Sequence, residues 1–188
     1  MVHISSNKAV VTATNILIKI TPKYYITQEQ INKLDDLSFI KASYRRFLRL
    51  RPFVSKRQTI KHSYTIYLRY KFRVENYESK RRECLSESEL TDIDFRSSVQ
   101  RSLQMMIKAF SNTNGFSRSM EKDTHMCRRI VKNILTVDYH KTRLIRNSGK
   151  MYKYYRKDLK YLTDDQHIGL RQFEENLIRF NECFGTML

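Results

Sequence analysis

The chain of 188 residues contains only 4 Gly and 2 Pro, and its 36 Lys and Arg outnumber its 19 Asp and Glu. Because sandwiches and barrels need many Gly and Pro turns, this composition argues against an all-β fold and favours one all-α domain. The formal net charge of +17 predicts an acidic partner or environment. Nucleic acid, an anionic membrane surface, an acidic protein and the mitochondrial matrix all meet that description.

The cysteines and histidines form no recognisable disulfide or metal pattern. Cys84, Cys127 and Cys183 are odd in number, widely spaced and outside any CxxC motif, which indicates a reducing compartment. The 5 histidines are scattered, so we expect no bound metal. The chain also lacks a run of eighteen apolar residues, and we therefore expect no transmembrane segment.

Residues 1–34 are predicted to form a poorly structured tail or a transit segment, ahead of a helical domain over 35–188. No acid precedes Glu29 and Ser and Thr are frequent, as in mitochondrial transit peptides, although no Arg precedes Arg45. The alternative is a flexible or weakly β tail over the stretch AVVTATNILIKIT. Thr27 and Gln30 have the spacing of a capping box, which predicts a short helix just before the domain.

The segment Lys41–Arg82 carries fourteen Lys and Arg against two acids, interleaved with aromatic residues. A first helix is predicted to begin near Asp35 or Asp36, whose charge suits a helix N-terminus, and to end at Pro52. Ser55 is the predicted cap of a second helix. The apolar stripes are Leu37, Ile40, Tyr44, Phe47 and Leu48 in the first helix, and Ile60, Tyr64, Tyr67, Leu68 and Phe72 in the second. Together the two helices would form a basic hairpin with aromatic inner faces.

Apolar residues at helical spacing predict three further helices, making about five in all. The third opens at Ser88 or Thr91, after an acidic linker over 83–89, and ends at the loop 111–115. The fourth runs from about Ser119 to Gly149, and residues 151–162 form a short helix or an ordered linker. The last follows a capping box at 163–166 and ends at Gly185. Their stripes are Phe95, Val99, Leu103, Met106 and Phe110; Cys127, Ile130, Ile134, Val137 and Leu144; and Leu170, Phe173, Leu177, Phe180 and Phe184.

Motifs that support catalysis or cofactor binding are absent from the sequence. The 4 glycines cannot build a GxGxxG or Walker loop, and GxSxG, HExxH and DFG do not occur. The acid pairs are Asp35 with Asp36, Asp164 with Asp165, and Glu174 with Glu175. Each pair is predicted to lie near a helix start or on a solvated face. We therefore expect a protein without enzyme activity, catalytic residues or cofactor.

Two interpretations of the basic, aromatic hairpin remain open. Alternating cations and rings are typical of single-strand nucleic-acid binding, in which rings stack on bases. Because the rings recur at helical spacing, they also fit a helical core. The two interpretations give different roles to four arginines. They would either line a track for phosphates or solubilise one helical face, and they are Arg45, Arg49, Arg69 and Arg73.

The stretch SYRRFLR at 43–49 resembles the leading helix of the LYR family of small mitochondrial proteins. In that family a Leu-Tyr-Arg triplet precedes an apolar pair and another Arg. Ser43 takes the place of the Leu, and Phe72 stands where the family has a Phe late in its second helix. The resemblance implies a helical adaptor for an acidic protein, in many members the mitochondrial acyl carrier protein, whose acyl chain enters between the helices. We assign as candidate partner-binding residues Tyr44, Arg45, Arg46, Arg49, Arg69, Lys71, Phe72 and Arg73.

Longer stretches resemble a second family. YRRFLRLRPFVS from Tyr44, YLRYKFRVENYESKR from Tyr67, CRRIVKNILTVDYHKTR from Cys127 and FNECFGTML at 180–188 are similar to the increased recombination centers family of budding yeasts, also called a required-for-respiratory-growth protein. This resemblance implies a role in the maintenance of mitochondrial DNA, in sporulation and in genome integrity, without catalysis.

We therefore interpret the chain as a non-enzymatic protein of the mitochondrion, in the matrix by preference, with a cytoplasmic or nuclear location as the alternative. Its preferred mechanism is that of a basic, LYR-like adaptor that binds an acidic mitochondrial protein. The alternative mechanism is direct nucleic-acid binding in the mitochondrial nucleoid or ribosome.

Overall fold

The computed structural model describes residues 3–5, 9–11, 16–17, 23–90, 92, 94–111, 118–148 and 168–188. The described α-helices are α1 (Gln28–Lys33), α2 (Asp36–Arg49), α3 (Arg51–Val54), α4 (Gln58–Arg73), α5 (Tyr77–Cys84), α6 (Phe95–Phe110), α7 (Arg118–Ser148) and α8 (Ile168–Phe184). Five of them, α2, α4, α6, α7 and α8, have fourteen residues or more. The prediction of an all-α domain with about five helices is confirmed.

The N-terminal region contributes a small antiparallel sheet of three strands in the order β1-β2-β3. The strands are β1 (His3–Ser5), β2 (Ala9–Val11) and β3 (Ile16–Leu17). Val10 pairs with Ile4 of β1 and with Leu17 of β3. Two of the strands lie in the stretch AVVTATNILIKIT, in line with the weakly β alternative for this tail.

Residues 24–34 differ from the predicted tail because they pack on the helical core. Tyr24, Ile26 and Ile31 are buried among the core side chains. The predicted capping box is present at the start of α1, where the Thr27 hydroxyl accepts from Gln30 N and the Gln30 side chain accepts from Thr27 N. The folded core therefore begins about ten residues before the predicted boundary at residue 35.

The predicted hairpin is formed by α2, the single turn α3 and α4. Asp35 caps α2 as expected, since its carboxylate accepts from Ser38 N at 3.2 Å. Pro52 lies in the first turn of α3, where a missing N–H donor costs nothing. Ser55 does not cap α4 as predicted, because α4 begins after Arg57 and the Ser55 hydroxyl accepts from Arg57 N outside the helix.

The buried face of α2 differs from the predicted stripe. Phe39, Ser43 and Phe47 are buried, whereas Leu37 is 60% exposed. The reason is that α2 packs against both α4 and α6, so its inner face is set by two neighbours rather than by one. The buried Ser43 hydroxyl is satisfied within the helix, because it donates to Phe39 O at 2.8 Å.

The remaining helices complete the core. Asp94 caps α6 and accepts from Arg96 N at 3.0 Å, in place of the predicted Ser88 or Thr91. The Glu83–Glu89 linker is in fact partly helical, since α5 runs to Cys84 and a 3-10 turn spans Glu87–Glu89. Gly185 ends α8 as predicted, with a left-handed φ of 56°. The predictions for Gly149, 151–162 and 163–166 lie outside the described residues.

Candidate docking surface and the ionic cluster behind it

Two predicted site residues meet at the centre of the hairpin. The rings of Tyr44 on α2 and Phe72 on α4 have their centroids 5.4 Å apart. Phe72 also lies 5.5 Å from the ring of Phe47, which belongs to the core. Both Tyr44 and Phe72 are half-buried, so this contact fixes how α2 and α4 face each other.

Two predicted site arginines form hydrogen bonds to the N-terminal segment. The Arg46 guanidinium donates to Tyr25 O at 3.1 Å and to the Gln30 side chain at 3.3 Å. It also donates to Ala42 O one turn earlier in α2. Arg49 donates to Lys23 O at 2.9 Å. Burial lowers the pKa of Arg46, and the nearby Arg49 charge adds to that effect.

Lys71 also forms its polar contacts within the fold. Its ammonium lies 2.5 Å from the Glu75 carboxylate and donates to Leu188 O at 3.0 Å. Only 12% of its side chain is exposed. Lys71 therefore joins the end of α4 to the last residue of the chain.

The other three predicted arginines, Arg45, Arg69 and Arg73, are exposed, and we call them the hairpin arginines. Arg69 and Arg73 lie one turn apart on α4, so they project from one face. The contact between Tyr44 and Phe72 places the next residue of each helix, Arg45 and Arg73, at the same level of the hairpin. Within the described residues, none of the three forms an ion pair with an acid.

An open groove with a volume of about 660 Å³ is lined in part by Phe72, the neighbour of Arg73 on α4. Its apolar lining comes from α2, α4, α5, α6 and the chain end, and it consists of Ile40, Phe72, Tyr77, Phe95, Val99 and Met187. The charged residues of the lining are two cations and three acids, namely Lys71, Arg81, Glu75, Glu78 and Asp92. The shape fits an apolar group that is carried by a polar partner.

Behind the groove lies a buried cluster of five alternating charges, which we call the ionic cluster. Its members are Lys71, Glu75, Lys80, Lys141 and Glu174. Lys80 bridges the two carboxylates, at 2.8 Å from Glu75 and 3.0 Å from Glu174, and Lys141 donates to the other oxygen of Glu174. The cluster thus connects α4, α5, α7 and α8.

The charges of the ionic cluster stabilise one another. Burial raises the pKa of the Glu174 carboxyl, but Lys141 and Lys80 outweigh burial and hold that pKa far below its ordinary value. Lys71 and Lys80 likewise outweigh burial and lower the pKa of Glu75. At Lys80 burial is outweighed by Glu75 and Glu174, which raise the pKa of its ammonium. At Lys141 burial is the larger effect and lowers the pKa, although the adjacent Glu174 acts in the opposite direction.

The ionic cluster was not found by sequence reasoning, which placed the Glu174–Glu175 pair near a helix start or on a solvated face. That prediction holds for Glu175, which pairs with Arg171 near the surface, and fails for Glu174. Glu174 shares a helical face with Ile178 and Asn181, the buried positions of α8. Because two of these three residues are polar, helical spacing alone gave no reason to expect that face to be buried.

Burial raises the pKa of two of the described thiols. Burial raises the pKa of the Cys84 thiol to about 11, and Glu175 and Glu174 add to the rise, so this thiol is protonated at neutral pH. Burial likewise raises the pKa of Cys127. Among the described residues, no three His, Cys, Asp or Glu side chains are grouped to hold a metal ion. No helix in the described part of the chain is long and apolar enough to cross a membrane.

Comparison with known proteins gives one consistent result. Residues 4–188 match the family described as Increased recombination centres protein 19. The chain is 57% identical to the Increased recombination centers protein 19 of Kluyveromyces lactis over 188 residues, which is all of both chains. It is 33% identical to that of Vanderwaltozyma polyspora, covering 100% of this chain and 97% of the relative. It is 31% identical to that of Saccharomyces cerevisiae, covering 100% of this chain and 98% of the relative. No solved structure matches the chain.

Proposed function

Because the chain belongs to the increased recombination centres protein 19 family, we propose that it acts without catalysis in genome integrity, and within mitochondria in the maintenance of mitochondrial DNA and in sporulation. The name of the relatives refers to recombination and supports the broader part of this proposal. The mitochondrial part and the role in sporulation rest on the sequence resemblance described above. The protonated Cys84 thiol and the mutually paired charges of the ionic cluster support a role other than catalysis.

The mechanism that we propose is docking of an acidic protein on the hairpin arginines. One observation carries it: of the six cations among the candidate residues, Arg46, Arg49 and Lys71 are bonded within the fold, whereas the hairpin arginines are exposed and form no ion pair with an acid among the described residues. Guanidinium groups suit this task because they bind carboxylates through two parallel hydrogen bonds.

The groove supports an acidic partner that carries an apolar group, such as the mitochondrial acyl carrier protein implied by the LYR resemblance. Phe72 lines the groove and contacts Tyr44, so an apolar chain that enters the groove would contact α4, one of the two helices that carry the hairpin arginines. Carboxylates of the carrier would face Arg69 and Arg73 while its acyl chain occupies the groove.

The test is co-purification from mitochondria with the Arg69→Glu/Arg73→Glu variant. We expect the variant to fold, since both side chains are exposed, and to lose the acidic partner. The control is Lys56→Glu/Arg57→Glu, which makes the same charge change just before α4 and should keep the partner. The docking proposal is overturned if the first variant folds and retains every partner, or if both variants lose the partner equally.

A further inference from the structure

The outer face of α7 carries a basic stripe that the hairpin does not include. We call it the α7 stripe, and its seven positions are Lys122, His125, Arg129, Lys132, Thr136, His140 and Arg143, all of them exposed. At 100° per residue these positions fall within a band of about 80° around the helix, and at 1.5 Å per residue they extend over about 31 Å.

No acid interrupts the α7 stripe. Asp138 lies on the opposite, buried face of α7, next to the ionic cluster. Asp123 lies about 120° from Arg129 around the helix and pairs with Lys108 of α6 at 3.7 Å. Glu121 lies at the edge of the band and is only half-exposed. Four fixed cations therefore face solvent along the stripe without a carboxylate among them.

The opposite face of α7 holds the helix in place. Val131, Ile134 and Leu135 are buried in the core against α4 and α6, and Lys141 is bound to Glu174 of α8. Because this apolar face is already covered, α7 cannot turn over and insert it into a lipid bilayer, as amphipathic membrane-binding helices do. The stripe is thus a fixed row of charges on a helix that is anchored from behind.

We propose that the α7 stripe binds the sugar-phosphate backbone of duplex DNA. The partner must be an extended polyanion, because the cations are spread over about 31 Å, and duplex DNA carries one charge per about 1.7 Å of its axis. Single strands are generally held by several exposed rings on which bases stack. The α7 stripe has no phenylalanine or tyrosine of its own, and Tyr139 at its edge is the one large exposed ring on this part of α7.

This contact is independent of base sequence. Lysine and arginine side chains contact phosphates through charge, and phosphate contacts carry no sequence information. The proposal goes beyond the docking of an acidic protein, because it uses another surface. If the α7 stripe binds DNA and the hairpin arginines bind an acidic protein, the chain would link that protein to DNA.

The test measures binding of the full-length protein to a labelled DNA duplex by fluorescence anisotropy at several salt concentrations. For four phosphate contacts the slope of log affinity against log salt is expected to be about −3.6. The variant Arg129→Glu/Lys132→Glu should bind at least about tenfold more weakly, with a slope reduced by about 2, and two duplexes of unrelated sequence should behave alike.

Three comparisons make the assignment falsifiable. Lys56→Glu/Arg57→Glu carries the same charge change and should retain duplex binding, and equal loss in both variants would overturn the assignment to α7. Arg69→Glu/Arg73→Glu should also retain it, which separates this proposal from docking at the hairpin. Tighter binding to single-stranded DNA or RNA, or to acidic vesicles, than to the duplex would overturn the choice of partner.

Folding of the variants is checked by thermal denaturation before binding is compared. If Arg129→Glu/Lys132→Glu melts well below the wild-type protein, Arg129→Gln/Lys132→Gln replaces it, because this pair removes the charges without adding acids. Unchanged duplex affinity in the folded glutamine variant would overturn the proposal.

Discussion

The side-chain amide of Asn181 forms hydrogen bonds to both the backbone N–H and the backbone carbonyl of Leu188. Its Oδ1 accepts from Leu188 N at 3.0 Å, and its Nδ2 donates to Leu188 O at 3.1 Å. The same Oδ1 accepts from the Thr186 hydroxyl at 2.8 Å. Asn181 is 0% exposed, and Leu188 lies in the core. One buried amide therefore folds the last three residues back over α8.

Asn181→Ala should release residues 186–188 and lower the free energy of unfolding by about 2–3 kcal/mol, because buried backbone groups lose their partners. The control is Asn176→Ala on the exposed face of the same helix, where alanine has the better helix propensity and stability should change little. Urea denaturation measures both variants. Equal stability of the two would show that Asn181 does not hold the chain end.

Glu174→Gln should be strongly destabilising, by about 3–5 kcal/mol, because it removes one partner from a buried ion cluster and leaves Lys141 without its carboxylate. Glu175→Gln is the matched control at the next position. Its pair with Arg171 is partly exposed, so the expected loss is under about 1 kcal/mol. Equal losses in urea denaturation would contradict the buried placement of Glu174.

Acid should weaken the fold through the two carboxylates of the ionic cluster. Both Glu75 and Glu174 have a pKa below the ordinary value in the folded protein. Their contribution is therefore complete above about pH 4.3, the pKa of an unfolded Glu, and is lost as the pH falls through the lowered values. Unfolding free energies between pH 2 and 6 should fall less steeply for Glu174→Gln than for the wild type, and parallel curves would contradict this.

Adjacent arginines on α2 should have opposite roles. Arg46→Gln breaks hydrogen bonds from a charged donor to Tyr25 O and Ala42 O, and should cost about 1.5–3 kcal/mol. Arg45→Gln removes an exposed charge and should leave stability within about 0.5 kcal/mol. Melting temperatures distinguish the two variants, and comparable melting would mean that the N-terminal segment does not depend on Arg46.

Ser43 marks the position where the chain departs from the LYR triplet. Ser43→Leu would place three extra carbon atoms between α2 and its packed neighbours, and should lower the free energy of unfolding by about 1–3 kcal/mol. Ser43→Ala is the control, since it removes only a hydroxyl that bonds within its own helix. A leucine variant as stable as the wild type would show that this face of α2 can accept the full triplet.

Local features of the helices could be predicted from the sequence because they depend on near neighbours. Thr27 with Gln30, Asp35 with Ser38, and Gly185 after α8 are caps whose partners lie within a few residues. The stripe of α6 was equally clear, since Val99, Leu103 and Met106 are apolar and all buried. A face that is both apolar and at helical spacing has one stable placement, against the core.

The roles of the charged residues could not be predicted in the same way. The sequence presents Arg45 and Arg46 as equivalent cations, and Glu174 and Glu175 as equivalent acids. Only the fold distinguishes them, because each inner member bonds to a residue far along the chain: Arg46 to a carbonyl 21 positions away, and Glu174 to a lysine 94 positions away. The same holds for the α7 stripe, whose exposure depends on which half of α7 the other helices cover.

Composition, periodicity and capping thus determined the fold class, the five long helices and several of their ends, since these follow from interactions within about four residues. Tertiary packing decided which cations are structural and which face solvent. A charge costs several kcal/mol to bury alone and is buried where an opposite charge meets it, as Lys80 meets Glu75 and Glu174. The opposite charge often lies on another helix, as Glu174 of α8 does for Lys80 of α5, so the sequence of one helix does not reveal which of its charges are buried.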